Sequence, residues 1–434
     1  MDKMADVLGR AGAWCGQNKY LSAIKNAFQN FMPLTIAGAI GVLWCNVLVN
    51  ETTGLGMFFK PIMALDFLNP AFQAVNFCTI SCITVGITLG IAQEIGVWNM
   101  GAERAGYIPG LVGLAAWLSV TNTSHMVDGA KEAFTGIAGN ELGATGLFTG
   151  MIIGVLSVEL FCFFEKQDAL KIKMPEQVPP GVARAFEVLV PATITLIITA
   201  CIGSACYNLT GLYLNDVIKN GIQGPLGAVG ATIPGVMIIY LVIMLFWLVG
   251  IHGNNMLSAV KEALFTPLAL ENVEKFNKGE KPTNIINMYA LQMWGEFGGS
   301  GVTIGLVIAI MIFSKREDNK AIATLSLVPG LFNINETVTF GIPMVLNPIL
   351  GIPFVVTPLI TIIIGYVLTV IGFCPVACLT VPWTTPPIVF GFLACGANVM
   401  GAVTQAILIV VSTVIYVPFL IAYEKYQNKQ AAEA

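Results

Sequence analysis

From Phe31 to Ala422 the sequence keeps returning to apolar stretches of about twenty residues, the length a helix needs to cross the hydrocarbon core of a bilayer. Lipid offers backbone N–H and C=O groups no partner, so only helices and closed barrels cross it, and these runs lack the alternation of barrel strands. With 56% hydrophobic and 11% charged residues in a chain of 434, the sequence reads as an all-α polytopic membrane protein of about ten transmembrane helices.

Candidate spans run from Phe31 to Val49, Phe77 to Ile95, Gly106 to Val120, Gly143 to Phe164 and Ala185 to Tyr207. Ahead of them, Lys3, Arg10, Lys19 and Lys25 alternate with apolar residues at helical spacing, which predicts an amphipathic helix on the cytoplasmic surface. The start lacks the apolar core of a cleaved signal peptide. Lys166, Lys171, Lys173 and Arg184 mark the segment before the fifth span as cytoplasmic, and the acidic loop from Thr121 to Leu142, with a solvated His125, belongs outside. Met400 to Ala422 is a clean last span capped by Lys425 and Lys429, so both termini are expected in the cytoplasm of a multi-pass cell-membrane protein.

The net charge of −4 is spread over short connections with no basic stripe, which argues against nucleic acid. Ten scattered cysteines show no CxxC and no histidine at metal spacing, so neither a metal nor another cofactor is expected. The motif Gly298-Gly299-Ser300-Gly301 has no following lysine, which argues against a phosphate loop and leaves close packing as its role.

A Gly-rich, weakly apolar stretch at 208–232 reads as an amphipathic linker between an N-terminal domain, 1–207, and a C-terminal domain, 233–434. Apolar segments of the second domain are interrupted. Gly250-Ile251-His252-Gly253-Asn254-Asn255 breaks one, and a Pro-rich turn from Cys374 through Pro382-Trp383-Thr384 to Pro387 breaks another. The most polar interruption runs from Gly330 to Pro348, where Asn333 and Asn335 precede Glu336 and Gly341, Pro343 and Pro348 follow. Non-helical backbone at membrane depth persists only where protein buries it or a wet cavity receives it, so Glu336 marks a functional site. The lysines at 261, 275, 278 and 281 and the cluster Lys315-Arg316 both look cytoplasmic, with a single apolar stretch between them. Either the first loop is extracellular or dips into the membrane, or part of Ile285 to Gly301 re-enters; broken and re-entrant segments of transporters favour the second.

His252, flanked by glycines and by the amides of Asn254 and Asn255, suits a polar ligand, because glycine lets backbone approach closely. Glu336 has no Lys or Arg in its own apolar segment, which leaves His252 as the partner at similar depth. Together a carboxylate and an imidazole can hold a hydroxyl, one accepting its proton and the other donating to its oxygen. Trp383, inside a Pro-rich turn, supplies a flat face for the CH side of a sugar ring, and Trp247 is a second apolar face near a break.

Taken as an ordered set, Gly250-Ile-His-Gly253, Gly298-Gly-Ser-Gly301, Asn335-Glu336 with Phe340-Gly341-Ile-Pro343 and Asn347-Pro348, and Pro382-Trp-Thr384 resemble enzyme IIC of the phosphoenolpyruvate-dependent sugar phosphotransferase system. The similarity is to the lactose, cellobiose and diacetylchitobiose family, over nearly the whole chain. It implies a homodimer joined through the N-terminal domain and a C-terminal transport domain with two re-entrant hairpins. It implies a β-linked disaccharide as substrate, bound by His252 and Glu336 near its 6-hydroxyl, with Trp383 and Trp247 on the rings and Asn335, Asn254, Thr384 and Asn287 also in the site. Catalysis would fall to Glu336 and His252 as the membrane subunit of a phosphotransferase. The chain stops soon after its last span, so the phosphocysteine donor, enzyme IIB, is expected as a separate cytoplasmic protein. The competing class is an ion-coupled secondary sugar transporter with Glu336 and His252 as a proton relay. An intramembrane hydrolase ranks last, because Ser300 sits in no nucleophile motif.

Overall fold

The computed structural model describes residues 10, 13–14, 17–51, 55–125, 134–175, 177–342 and 344–433. Lys3 of the expected surface helix and Pro343 of the polar interruption lie outside them. The contacts divide the chain into two compact units: Gln17–Ala37 with Phe77–Ala228, and Met1–Gly16 and Gly38–Asn76 with Val229–Ala434.

In the unit containing Phe77–Ala228, helix α1 (Lys19–Leu43) supplies its first turns, followed by α2 (Ile83–Met100), α3 (Ile108–Val120), α4 (Ala144–Glu165) and α5 (Pro180–Thr210). Packing relies on small residues, as expected where lipid removes the hydrophobic drive between helices. A Cβ on Gly113 would stand 2.3 Å from Ala92, and one on Gly150 would stand 2.2 Å from the Thr88 hydroxyl. The surface helix expected before Phe31 lies partly outside the described residues, and its later part, with Lys19 and Lys25, belongs to α1. α1 runs unbroken through Pro33, and its polar face meets protein: Lys19 pairs with Glu159 at 2.6 Å and Asn26 donates to Glu94 at 2.9 Å. Arg184 is likewise no loop charge. Near the end of α4 it reaches Glu165 at 2.9 Å, and Arg104 reaches the same carboxylate at 2.8 Å. His125, expected in solvent, is half-buried in a two-stranded hairpin with its ring 5.6 Å from Phe134.

The unit containing Val229–Ala434 is built from interrupted helices: α6 (Ile233–Leu248), α7 (Ser258–Asn277), α8 (Met288–Gly295), α9 (Ile304–Phe313), α10 (Glu317–Leu331), α11 (Glu336–Gly341), α12 (Gly351–Val370), α13 (Val389–Ala394) and α14 (Val399–Glu433). Its core gathers Tyr240, Phe265, Leu291, Trp294, Phe297 and Ile362, with Trp247, Leu306, Phe354 and Tyr416 in a second cluster. Between α8 and α9 the chain bends by 58°. That turn is tight for the reason its glycines suggested: Cβ atoms on Gly299 and Gly301 would stand 2.6 Å from Asn335 and 2.3 Å from Phe354.

Among the described residues five helices are long and apolar enough to cross a membrane, up to seven if each bent pair is one span, and Ile108–Val120 and Ile233–Leu248 are shorter apolar helices. An expectation of about ten spans therefore includes pieces too short to cross alone. Residues 208–232 are mostly short helical turns, among them Leu214–Ile218 and Gly224–Gly230.

Candidate functional site

The site begins where α6 ends. Gly250 takes φ +80°, a conformation that favours glycine, and turns the chain so that His252 caps the short helical turn Gly253–Met256. A side chain on Gly253 would strike the Ile243 carbonyl oxygen at 2.0 Å, so glycine there lets the turn fold back against α6. The Asn255 backbone N–H donates to His252 Nδ1 at 3.3 Å. Nδ1 must therefore be unprotonated, and a neutral ring carries its proton on Nε2. Nε2 stands 3.8 Å from Glu336 Oε1, with the two side chains 38% and 48% exposed.

Glu336 is the first residue of α11, and Asn333 and Asn335 hold it there. Asn333 adopts φ +63°, a left-handed conformation that asparagine tolerates better than most residues. Its Oδ1 accepts from the Gly298 N–H at 2.6 Å, and its Nδ2 donates to the carbonyls of Trp383 and of Thr385, the latter at 3.1 Å. Asn335 is buried and donates to the Ser300 carbonyl at 2.7 Å. Two asparagines thus join three chain breaks that the sequence scatters over some eighty residues: the glycine turn before α9, the break before α11, and the Pro-rich turn after α12.

The expected residues divide into two groups. His252 and Glu336 face each other, Trp383 is 43% exposed at the Pro-rich turn, Thr384 beside it is half-buried, and Asn254 carries a buried Oδ1 with no hydrogen-bond partner among the described residues. Trp247, Asn335 and Asn287 have other work in this structure. Trp247 is 2% exposed, its ring 4.4 Å from that of His252 and edge-on to Phe354, so it backs the imidazole and presents no open face. Asn335 spends its amide on Ser300. Asn287 is fully buried and caps α8: Oδ1 accepts from the N–H groups of Tyr289 and Ala290, and Nδ2 donates to the carbonyls of Asn284 and Ala377. Both amide hydrogens are used, which leaves no free donor for a ligand.

Sequence reasoning missed a buried charge pair. Lys261, taken for a loop lysine, lies on the first turn of α7, is 5% exposed and is ion-paired with Glu296, which also accepts from the Tyr240 hydroxyl at 2.7 Å. Lys261 follows the His252-capped turn Gly253–Met256, and Glu296 precedes Gly298, the glycine held by Asn333. With Lys261 buried, one of the charges that made the following segment look cytoplasmic is no loop charge at all. The missed signal was Glu296 itself, an acid set between Trp294 and Phe297 in an apolar stretch.

The arrangement places an N–H donor and a carboxylate acceptor around one point, and Asn333 ties the turn that bears the exposed Trp383 to the break before Glu336. The chain matches the family model described as "Phosphotransferase system, EIIC" over residues 25–358. It is 32% identical to the oligo-beta-mannoside-specific EIIC component of Bacillus subtilis, across 98% of this chain and 94% of that protein. To the cellobiose-specific EIIC component of Lactococcus lactis it is 30% identical, across 98% of both. Its fold is similar to the crystal structure of ChbC, the IIC component of the N,N'-diacetylchitobiose-specific phosphotransferase system, with a TM-score of 0.88, 29% identity and 97% of each chain covered. A match this long to the family model, with relatives aligned nearly end to end, makes the chain a member of the phosphotransferase-system EIIC family of membrane sugar permeases.

Proposed function

We propose that this chain binds a β-linked disaccharide of the cellobiose, diacetylchitobiose or lactose type and carries it into the cell coupled to phosphorylation of its 6-hydroxyl by a separate phosphocysteine enzyme IIB. The observation that carries the reading is the 3.8 Å between His252 Nε2 and Glu336 Oε1. That gap is too long for a direct hydrogen bond and short enough for both atoms to reach one hydroxyl oxygen at about 2.8 Å. Nε2–H donates to the oxygen and Glu336 accepts its proton. The names of the relatives, with a cellobiose and a diacetylchitobiose component among them, support the substrate class.

Phosphoryl transfer asks a protein mainly for positioning and charge stabilisation. Glu336 orients the 6-hydroxyl and takes its proton as the oxygen attacks phosphorus, while His252 fixes the oxygen. Trp383 packs on a sugar ring, with Asn254 and Thr384 within the same pocket. A phosphorylated sugar brings new negative charge beside Glu336, which favours release inward. The unit around α6–α14 moves the loaded site across the membrane, and the N-terminal domain makes the homodimer. Support for the dimer is α5, of whose most apolar stretch only 22% is buried within the chain. An ion-coupled carrier draws no support from a family whose transport is tied to phosphoryl transfer.

The test is vesicle uptake and phosphorylation of cellobiose with phospho-enzyme IIB inside. Uptake is expected to survive collapse of ion gradients and to stop without the donor; uptake that instead follows the proton gradient overturns the reading.

A further inference from the structure

We propose that Lys261 is the counter-charge for the transferred phosphoryl group, held in reserve by Glu296 and Tyr240 until that group arrives. The inference rests on the phosphorylation reading above and adds to it the group that balances the incoming charge.

Among the described residues Lys261 is the one lysine or arginine that is buried. An ammonium in such a place is costly unless paired, and a pair serving only stability gains little over apolar packing. Its position is also directed. Lys261 lies on the first turn of α7, directly after the turn Gly253–Met256, with its ammonium on Glu296 and 5.6 Å from the centre of the Tyr240 ring. The turn capped by His252 runs directly into α7, and Glu296, the partner of Lys261, lies two residues before Gly298, whose N–H is held by Asn333 three residues before Glu336.

The transfer forms a bond between the sugar O6 and phosphorus and breaks the bond from phosphorus to the donor cysteine sulfur. The hydroxyl proton goes to Glu336, and the electron pair of the broken bond stays on the departing thiolate. The product carries a phosphate of charge about −1.5 to −2 in a site that already holds acidic side chains. Lys261 swings from Glu296 to the phosphoryl oxygens as that charge arrives. Glu296 keeps the Tyr240 hydroxyl, which donates to the same carboxylate at 2.7 Å, so the acid left behind still has a partner. A structural lock between α7 and the glycine turn is the competing role, and it makes a different prediction: stability, sugar binding and turnover fall together.

The test compares wild type with the double variant Lys261→Met, Glu296→Gln, which removes both charges at similar volume, and with Lys261→Arg. Calorimetry with cellobiose in detergent, calorimetry with cellobiose 6-phosphate, and donor-dependent phosphorylation are measured with the unfolding midpoint. For the double variant, cellobiose affinity is expected within about threefold of wild type, while phosphate-ester affinity falls at least about tenfold and kcat falls about 10²–10³, the usual cost of removing one group that meets transition-state charge. Lys261→Arg is expected to keep at least about a tenth of wild-type turnover, and this holds the idea open to refutation should the double variant not fold. Turnover of the double variant within threefold of wild type, a parallel loss of all readouts, or a folded Lys261→Arg variant with less than about a hundredth of wild-type turnover would each overturn the inference. If wild type itself neither binds nor phosphorylates the sugar, the proposed function falls first and takes this inference with it.

Discussion

His252 Nε2 and Glu336 Oε1 face each other across 3.8 Å, and the backbone N–H of Asn255, donating to the far ring nitrogen, determines which of the two brings the proton. The imidazole is a donor and the carboxylate an acceptor before any ligand arrives. The pair is therefore selective for a group that both donates and accepts, which is what an alcohol is.

Glu336→Gln keeps the shape of the side chain and removes its basicity. Donor-dependent phosphorylation is expected to fall by about 10²–10⁴ while sugar binding changes by less than about tenfold. Wild-type turnover in proteoliposomes would show that the carboxylate only positions.

His252→Ala removes a donor to the sugar hydroxyl and also the tilted ring contact with Trp247. Affinity for cellobiose is expected to drop by about 1–3 kcal/mol in calorimetry, with Trp247→Phe costing less because the indole sits behind the imidazole. If Trp247→Phe proved the more damaging to affinity, the indole would be touching the sugar after all.

Trp383→Ala takes away the exposed ring at the Pro-rich turn. A loss of about 1–2 kcal/mol in sugar affinity is expected, largely recovered by Trp383→Tyr, with little change in the unfolding midpoint because the side chain is 43% exposed. A fall in stability without a fall in affinity would assign the ring to packing.

Asn333→Ala strips the side-chain bonds to Gly298, Trp383 and Thr385 and leaves an L-residue without a polar side chain at φ +63°. Destabilisation of about 2–4 kcal/mol is expected, with Asn333→Gly milder by about 1 kcal/mol because the backbone strain goes. Both variants should raise KM for the sugar, since the turns bearing Glu336 and Trp383 are no longer tied. Equal stability of the two would remove the strain argument.

Asn287→Ala tests the opposite assignment. Its four side-chain hydrogen bonds all go to backbone groups, so the unfolding midpoint should fall while the affinity of the folded fraction for cellobiose stays within about threefold of wild type. Selective loss of affinity would return Asn287 to the binding site.

Chemistry was legible in the sequence wherever a polar residue was misplaced. A carboxylate at 336 and an imidazole at 252 among apolar residues mark themselves, because lipid or protein at that depth tolerates neither without a reason. Glu296 had the same mark and was overlooked, its partner Lys261 having been counted among loop charges. Secondary roles were not legible: nothing in the local sequence separates Asn333, which ties three breaks together, from Asn287, which caps a helix, since both are asparagines beside breaks.

The apolar runs and their interruptions by themselves determined that the chain is a helical membrane protein with opened backbone in its second half, because hydrogen-bond satisfaction in lipid is a local constraint that composition and breakers reveal. Which breaks meet, which tryptophan keeps an open face, and that a buried lysine pairs with Glu296 were decided only by tertiary packing. Those facts depend on contacts between residues tens of positions apart, and no spacing within one helix or turn encodes them.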